Sequence, residues 1–342
     1  MIQRFWPVWL LAGTAACDPA DRRGSQAPTN LFENGAGDRV SDHPAFDTLW
    51  TYGKGDTLLA NATDIEFLPG GDAVVLDAFD QRVHRIGPAG VIWSWGRRGE
   101  GPQDVQNVRA MTVNERNEVV LADSGNRRLV WLSAQGEWLR ANPLPQPAGA
   151  WVTGTVNGLV PLEKGGYILQ TMDDALLVPI AESGVAEDPV PVPWTGVGDM
   201  DPLLTYGEVA SGKGERWVFG FGVGNGFFVF SGRNPQGAYP YVEHVDFPTL
   251  VRSRVPGGFR VSYSARPTRS AQDMAIRGDT LLVLARNWQL DRYRMDTGEY
   301  LESTVLPGPI RRFAVAGDTL LVVDAAGIFP AITVLLMKKD DK

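Results

Sequence analysis

The chain has 342 residues, 44% hydrophobic and 21% charged, an ordinary globular balance with ample material for a core. Its net charge of -8 excludes a general nucleic-acid binder, which needs a basic footprint. Three histidines leave little for a zinc centre, and a single cysteine excludes a disulfide within the chain. Glycine (39) and proline (24) are plentiful, which suits a chain that turns often.

The chain opens on Met1-Ile2-Gln3-Arg4, followed by an apolar run over residues 5–12 and then Gly13-Thr14-Ala15-Ala16-Cys17. A positive start, a short apolar stretch and small residues before a cut site describe a secretory signal. The run is too short to span a bilayer. The residues before Cys17 resemble the lipobox of bacterial lipoproteins, although Thr14 stands where an aliphatic residue is usual. That resemblance implies a signal peptide over 1–16 and a diacylated Cys17 as the mature N-terminus. It further implies a membrane-anchored, periplasm-facing lipoprotein of the cell envelope, touching the membrane through the lipid alone. A plain signal peptide ending beside a free cysteine is the alternative. Residues 17–45 are polar, rich in Gly and Pro and without apolar periodicity, and are expected to form a flexible tether.

Shifted by 46 residues, the segment 63–94 lies on 109–140 without a gap. Val74 falls on Val120, Asp77 on Asp123, Arg82 on Arg128 and Gly90 on Gly136. Each unit reads as four short apolar strands, in the first unit near 64–68, 73–77, 82–86 and 91–95. A four-stranded unit with this period is the signature of a propeller blade, which must stack on neighbours to bury its faces. Weaker copies follow at 159–180 and at 216–231, the latter around Gly224-Asn225-Gly226. The stretch 274–283 is echoed by 313–322, a spacing of 39. The expected fold is an all-β, six-bladed β-propeller with four-stranded blades over residues 46–337, with a charged tail at 338–342. Residues 48–53 match the outer strand at 91–96, yet no three strands precede them. The last blade stops after a third strand at 331–337, so the N-terminal strand is expected to complete it and close the ring.

The run Leu121-Ala122-Asp123-Ser124-Gly125-Asn126-Arg127-Arg128-Leu129 resembles the heart of the NHL repeat, with its Asp, Asn and Arg. Gly96-Arg97-Arg98-Gly99-Glu100-Gly101-Pro102 resembles the linker between NHL blades. Blade 1 keeps Asp77 and Arg82 but carries Asp80 in place of Asn126, and the later blades have largely lost the motif. The chain is also similar to exported six-bladed propellers of environmental bacteria. Both resemblances imply a fold more than an activity.

In such a ring the links between blades and the second-to-third strand turns open on one face, the ligand face. Arg97, Arg98 and Arg127 are expected there. Asp77, Asp123, Arg82 and Arg128 recur because the fold needs them, so a binding site should break the repeat. The best break is residues 252–270, a long link with Arg252, Arg254, Arg260, Arg266, Arg269, Phe259 and Tyr263 and no acidic residue. Arg254, Arg260 and Tyr263, with Arg286, Asn287 and Trp288 at the corresponding turn of blade 5, suit an anionic ligand, a glycan or a partner protein. The plain alternative is a solvated loop whose arginines balance nearby carboxylates. No cofactor is expected, but six-bladed hydrolases and lyases hold a metal in the central channel. That precedent makes calcium possible here, with Asp64 and Asp273 as candidate ligands, although blade 2 has Ala110 where blade 1 has Asp64. Three functions remain in order: non-catalytic recognition at the envelope, a calcium-dependent hydrolase or lyase, and a structural subunit of an envelope complex.

Overall fold

The computed structural model describes residues 32, 35–54, 58–144, 155–171, 176–193, 201, 203–256, 258–286, 288–327 and 329–338. The leader, Cys17 and Asn287 lie outside these residues. The described chain forms 26 strands, and it holds no helix long and apolar enough to cross a membrane.

Strands β1 (Ser41–Asp42) and β2 (Phe46–Tyr52) come before the first whole blade. Blade 1 is β3 (Ala62–Phe67), β4 (Ala73–Asp77), β5 (Arg82–Gly87) and β6 (Gly90–Trp95). Blade 2 repeats it as β7 (Val108–Val113), β8 (Val119–Asp123), β9 (Arg128–Leu132) and β10 (Trp138–Pro143). Blade 3 has β11 (Val156–Pro161), β12 (Tyr167–Thr171) and β13 (Leu177–Ile180), with an isolated bridge from Ile180 to Ala186 at the outer position. Blade 4 is β14 (Gly207–Ser211), β15 (Arg216–Phe221), β16 (Gly226–Ser231) and β17 (Asn234–Pro240). A separate hairpin, β18 (Leu250–Val255) and β19 (Gly258–Tyr263), interrupts the ring here. Blade 5 is β20 (Asp273–Arg277), β21 (Thr280–Arg286), β22 (Gln289–Arg294) and β23 (Tyr300–Val305). Blade 6 is β24 (Ile310–Ala316), β25 (Thr319–Asp324) and β26 (Ile332–Met337). Its fourth strand is β2, antiparallel to β26 with Phe46 opposite Met337. The ring therefore closes through the N-terminal strand, as the strand match at 48–53 predicts.

Hydrophobic patterning explains the layering. The second strands β4 (AVVLD) and β8 (VVLAD) are buried throughout, because neighbouring blades cover both their faces. The outer strands β6 and β2 are largely exposed and alternate in burial. Six apolar clusters form, and each joins two adjacent blades, the last returning from blade 6 to blade 1. A single blade would leave these faces in water, so closure buries a continuous core.

The repeated polar residues knit links to turns. Asp77 accepts the backbone N–H groups of Ala60, Asn61, Phe79 and Asp80 at 2.5–3.1 Å. Asp123 accepts from the Gln106 N–H, from Asn126 Nδ2 and from Arg128 Nε at 2.7–2.9 Å. Arg128 also donates to the carbonyls of Gly101 and Asp104, which fixes the link ahead of blade 2. The repeat extends to the backbone: Gln81 and Arg127, 46 residues apart, both adopt a left-handed conformation with φ of 55° and 51°. Arg82 differs from Arg128, since it is exposed and Asp77 is satisfied by amides alone. Asp123→Ala is accordingly expected to cost about 3–5 kcal/mol, because it strands the half-buried Arg128. Arg82→Ala should stay within about 0.5 kcal/mol. Urea unfolding of the two variants compares them directly.

Residues 35–45, which composition joins to the tether, make specific contacts with the ring. The Ala36 N–H donates to the Tyr241 carbonyl at 2.8 Å, and β1 pairs parallel to β23 as a fifth strand of blade 5. Arg39 grips the buried Asp291 through Nε at 3.0 Å and Nη2 at 2.7 Å, and reaches Glu243 at 2.9 Å.

Candidate functional site

The six inner strands β3, β7, β11, β14, β20 and β24 pack side by side around a central channel. It encloses a cavity of about 120 Å³ and is lined by Asp64 and Glu66 of blade 1, Arg109 of blade 2, Asn157 of blade 3 and Glu208 of blade 4. Asp273 of blade 5 and Arg312 of blade 6 complete it. On the side of the first-to-second strand turns lies a wider funnel of about 760 Å³.

Arg312 organises the channel. Its Nη1 donates to the Gln272 carbonyl at 2.6 Å and lies 3.1 Å from Glu208 Oε1 and 3.5 Å from Asp273 Oδ1. Asp273 Oδ2 accepts the N–H of Phe313 at 2.7 Å, and Asp64 Oδ2 accepts the N–H of Met111 at 2.8 Å. Both aspartates thus perform the same task, tying an inner strand to the next blade. Tyr206 adds a hydroxyl to Glu208 Oε1 at 3.0 Å.

Enclosure by protein makes these charges expensive. Burial pushes Asp64 and Asp273 up to about 7, against the opposing pull of Arg312. Glu66 rises to about 8, first through burial and then through repulsion from Asp64 and Asp273. Burial also opposes the charge on Arg312, but Glu208 and Asp273 outweigh it and hold the guanidinium more firmly protonated than usual.

The donor set does not fit calcium. A calcium ion takes six to eight oxygens. Here both aspartates have an oxygen committed to a backbone amide, and a guanidinium stands beside Glu208 and Asp273. Among the described residues no three His, Cys, Asp or Glu side chains are grouped so that they could hold a metal ion.

Sequence reasoning pointed to Asp64 and Asp273 but missed Glu208 and Arg312. A signal for Arg312 existed. Asp273-Met274 and Arg312-Phe313 hold the same place in the 39-residue echo, so an acid in one blade is exchanged for a base in the next.

The ligand-face candidates separate into committed and uncommitted side chains. Arg97 pairs with Asp104 at 2.5 Å, Arg98 donates to the Phe79 carbonyl at 2.9 Å and Arg286 pairs with Glu243 at 2.7 Å. The Tyr263 hydroxyl donates to the Leu203 carbonyl at 2.6 Å and roots the hairpin. Arg127, Arg254 and Arg260 are exposed, and among the described residues none of them forms an ion pair. Trp288 is 48% exposed. By blade, Arg97, Arg98 and Arg127 belong to blades 1 and 2, whereas Arg254, Arg260, Arg286 and Trp288 gather at blades 4 and 5. The stretch read as a long link is instead an ordered hairpin, in which Arg254 faces Phe259 and Ser253 faces Arg260.

The closed ring and its six interfaces define a six-bladed β-propeller. No protein-family model matches the sequence, and no curated protein matches it. Solved structures do. Virginiamycin B lyase from Staphylococcus aureus aligns with a TM-score of 0.53 at 13% identity, over 86% of this chain and 99% of its own. A Bacteroides fragilis protein assigned as exported gives 0.51 at 10% identity, over 88% and 99%. The WD40 domain of Neurospora crassa Pan2 gives 0.52 at 10% identity, over 89% and 99%. At such identities the likeness is one of fold.

Proposed function

We propose that this propeller is a non-catalytic recognition module of the bacterial cell envelope, exported and held by an acylated Cys17. Its ring is of NHL type, and it takes an anionic ligand or partner on the ligand face. The observation that carries this reading is Arg312. In a channel that could serve as a metal-dependent active site in this fold, two carboxylates, Glu208 and Asp273, are instead paired with a guanidinium belonging to the ring. On the ligand face Arg127, Arg254 and Arg260 are exposed and, among the described residues, form no ion pair. Export is supported by the leader-like residues before Cys17 and by the likeness in fold to the Bacteroides protein.

Isothermal titration of calcium into the protein tests the reading. No binding at micromolar concentration is expected. One ion bound at micromolar affinity or tighter, and lost in Asp273→Ala, would replace recognition with a calcium-dependent hydrolase or lyase.

A further inference from the structure

The hairpin β18–β19 belongs to no blade, and most of its residues are exposed. Residues 247–271 contain Arg252, Arg254, Arg260, Arg266 and Arg269 and no acidic residue, in a protein of net charge -8. Three apolar side chains toward its tip are also exposed: Phe259 by 60%, Val251 by 45% and Val255 by 38%. Register assigns them to both faces. Arg252, Arg254 and Phe259 share one, with the Arg252 guanidinium 4.6 Å above the Phe259 ring, while Arg260 shares the other with Val251 and Val255. Leu250 and Tyr263 pack the root of the hairpin against the ring, the outer part is exposed on both faces, and among the described residues Arg252, Arg254 and Arg260 have no carboxylate partner.

The N-terminal arm enters the ring at the root of this hairpin. Asn225, in the turn between β15 and β16, donates to the Phe32 carbonyl. In the same turn, the Gly224 N–H donates to Ser270 Oγ at 3.1 Å, and the Ser270 N–H donates to the Gly222 carbonyl at 3.0 Å. Ser270 ends the segment that carries the hairpin, so one turn of blade 4 holds both the arm and the hairpin base. Cys17 precedes Phe32 by 15 residues. Whatever their conformation, these span at most about 50 Å. The hairpin itself is roughly 20 Å long.

We infer that β18–β19 is a membrane-docking element that lays Arg252, Arg254 and Phe259, which share one face, on an anionic phospholipid surface, with Arg260 adding to its positive field. The inference rests on the reading of Cys17 as the lipidated residue and adds a protein contact to the lipid. An acyl group at Cys17 keeps the hairpin root within reach of the bilayer. Arginines at an anionic surface gain from its potential, and an aromatic between them can enter the headgroup layer. An acidic protein would otherwise be repelled by such a surface. Docking through one cationic hairpin fixes which way the ring faces, so that the funnel points away from the membrane.

The test uses the chain from residue 18 onward, since every contact described begins at Phe32 or later. Without the lipid, it should co-sediment with vesicles of equal parts phosphatidylcholine and phosphatidylglycerol, should ignore phosphatidylcholine alone, and should be released by salt. The triple variant Arg252→Ser, Arg254→Ser, Arg260→Ser should lose affinity on the order of 100-fold. Its melting curve should not change, because none of the three makes an ion pair. Phe259→Ser should cost about tenfold. Phe259→Cys provides a unique thiol for an environment-sensitive fluorophore, whose emission should shift to the blue on the anionic vesicles. Equal binding to both vesicles, binding that survives the triple variant, or an unshifted probe would overturn the inference. So would capture by an acidic polysaccharide without vesicle binding, a result that would leave the recognition reading standing.

Discussion

Replacing Arg312 by methionine is expected to destabilise the ring by about 3–5 kcal/mol at pH 8, the largest loss for any single change in the channel. Methionine fills similar space but leaves Glu208 and Asp273 facing each other across a narrow polar core. It also removes the donor to the Gln272 carbonyl. The penalty should depend on pH in one direction. Asp64 and Asp273 already sit near 7, and losing the guanidinium beside them raises them further. Below about pH 6 they take up protons and become neutral, so the destabilisation should shrink to roughly 1 kcal/mol of lost packing. Urea unfolding at pH 5 and pH 8 measures both values. An equal loss at the two pH values would show that Arg312 acts by filling space and not as a counter-ion. That outcome would also weaken the recognition reading, which depends on the internal cation.

Glu66→Gln should have the opposite sign. Glu66 ionises at about 8 in the fold, against 4.5 in an unfolded chain. Between these values the folded protein holds a proton that the unfolded protein has released. Stability therefore falls as pH rises through this window, and is flat above it. Asp64 and Asp273 add to the same slope between about 4 and 7. An amide mimics the protonated acid and does not titrate. The variant should match the parent near pH 4 and exceed it by roughly 2–4 kcal/mol at pH 9. A variant less stable than the parent at pH 9 would mean that the ionised carboxylate has a favourable partner in the channel.

Much of the ring could be read from local pattern. Blades 1 and 2 share a 46-residue period because each blade meets the same packing on both faces, so apolar runs, turn glycines and the Asp–Arg pair return at fixed intervals. The closing strand was legible for the same reason, since β2 copies the outer-strand pattern of β6. The hairpin had a signal that went unread. Alternating residues flank Pro256-Gly257-Gly258, but a hairpin outside the blades has no place in the repeat that would call for them. Residues 35–45 carried no such signal. Their polar composition reads as tether, and the ion pair from Arg39 to Asp291 spans 252 residues.

Strand order, blade number and the structural role of the repeated aspartates are properties of this sequence alone, because each arises from contacts within one blade or between neighbours in the chain. Ring closure, which joins the two ends of the chain, is legible only because β2 repeats the outer-strand pattern. The channel is different. Asp64, Glu208, Asp273 and Arg312 are brought together only when the last blade meets the first, and no segment of chain contains more than one of them. Their charges take meaning from burial, which a linear sequence does not display. The same holds for the hairpin and the arm: their common root at the Asn225 turn exists only in the closed ring, where residues nearly two hundred apart share one hydrogen bond.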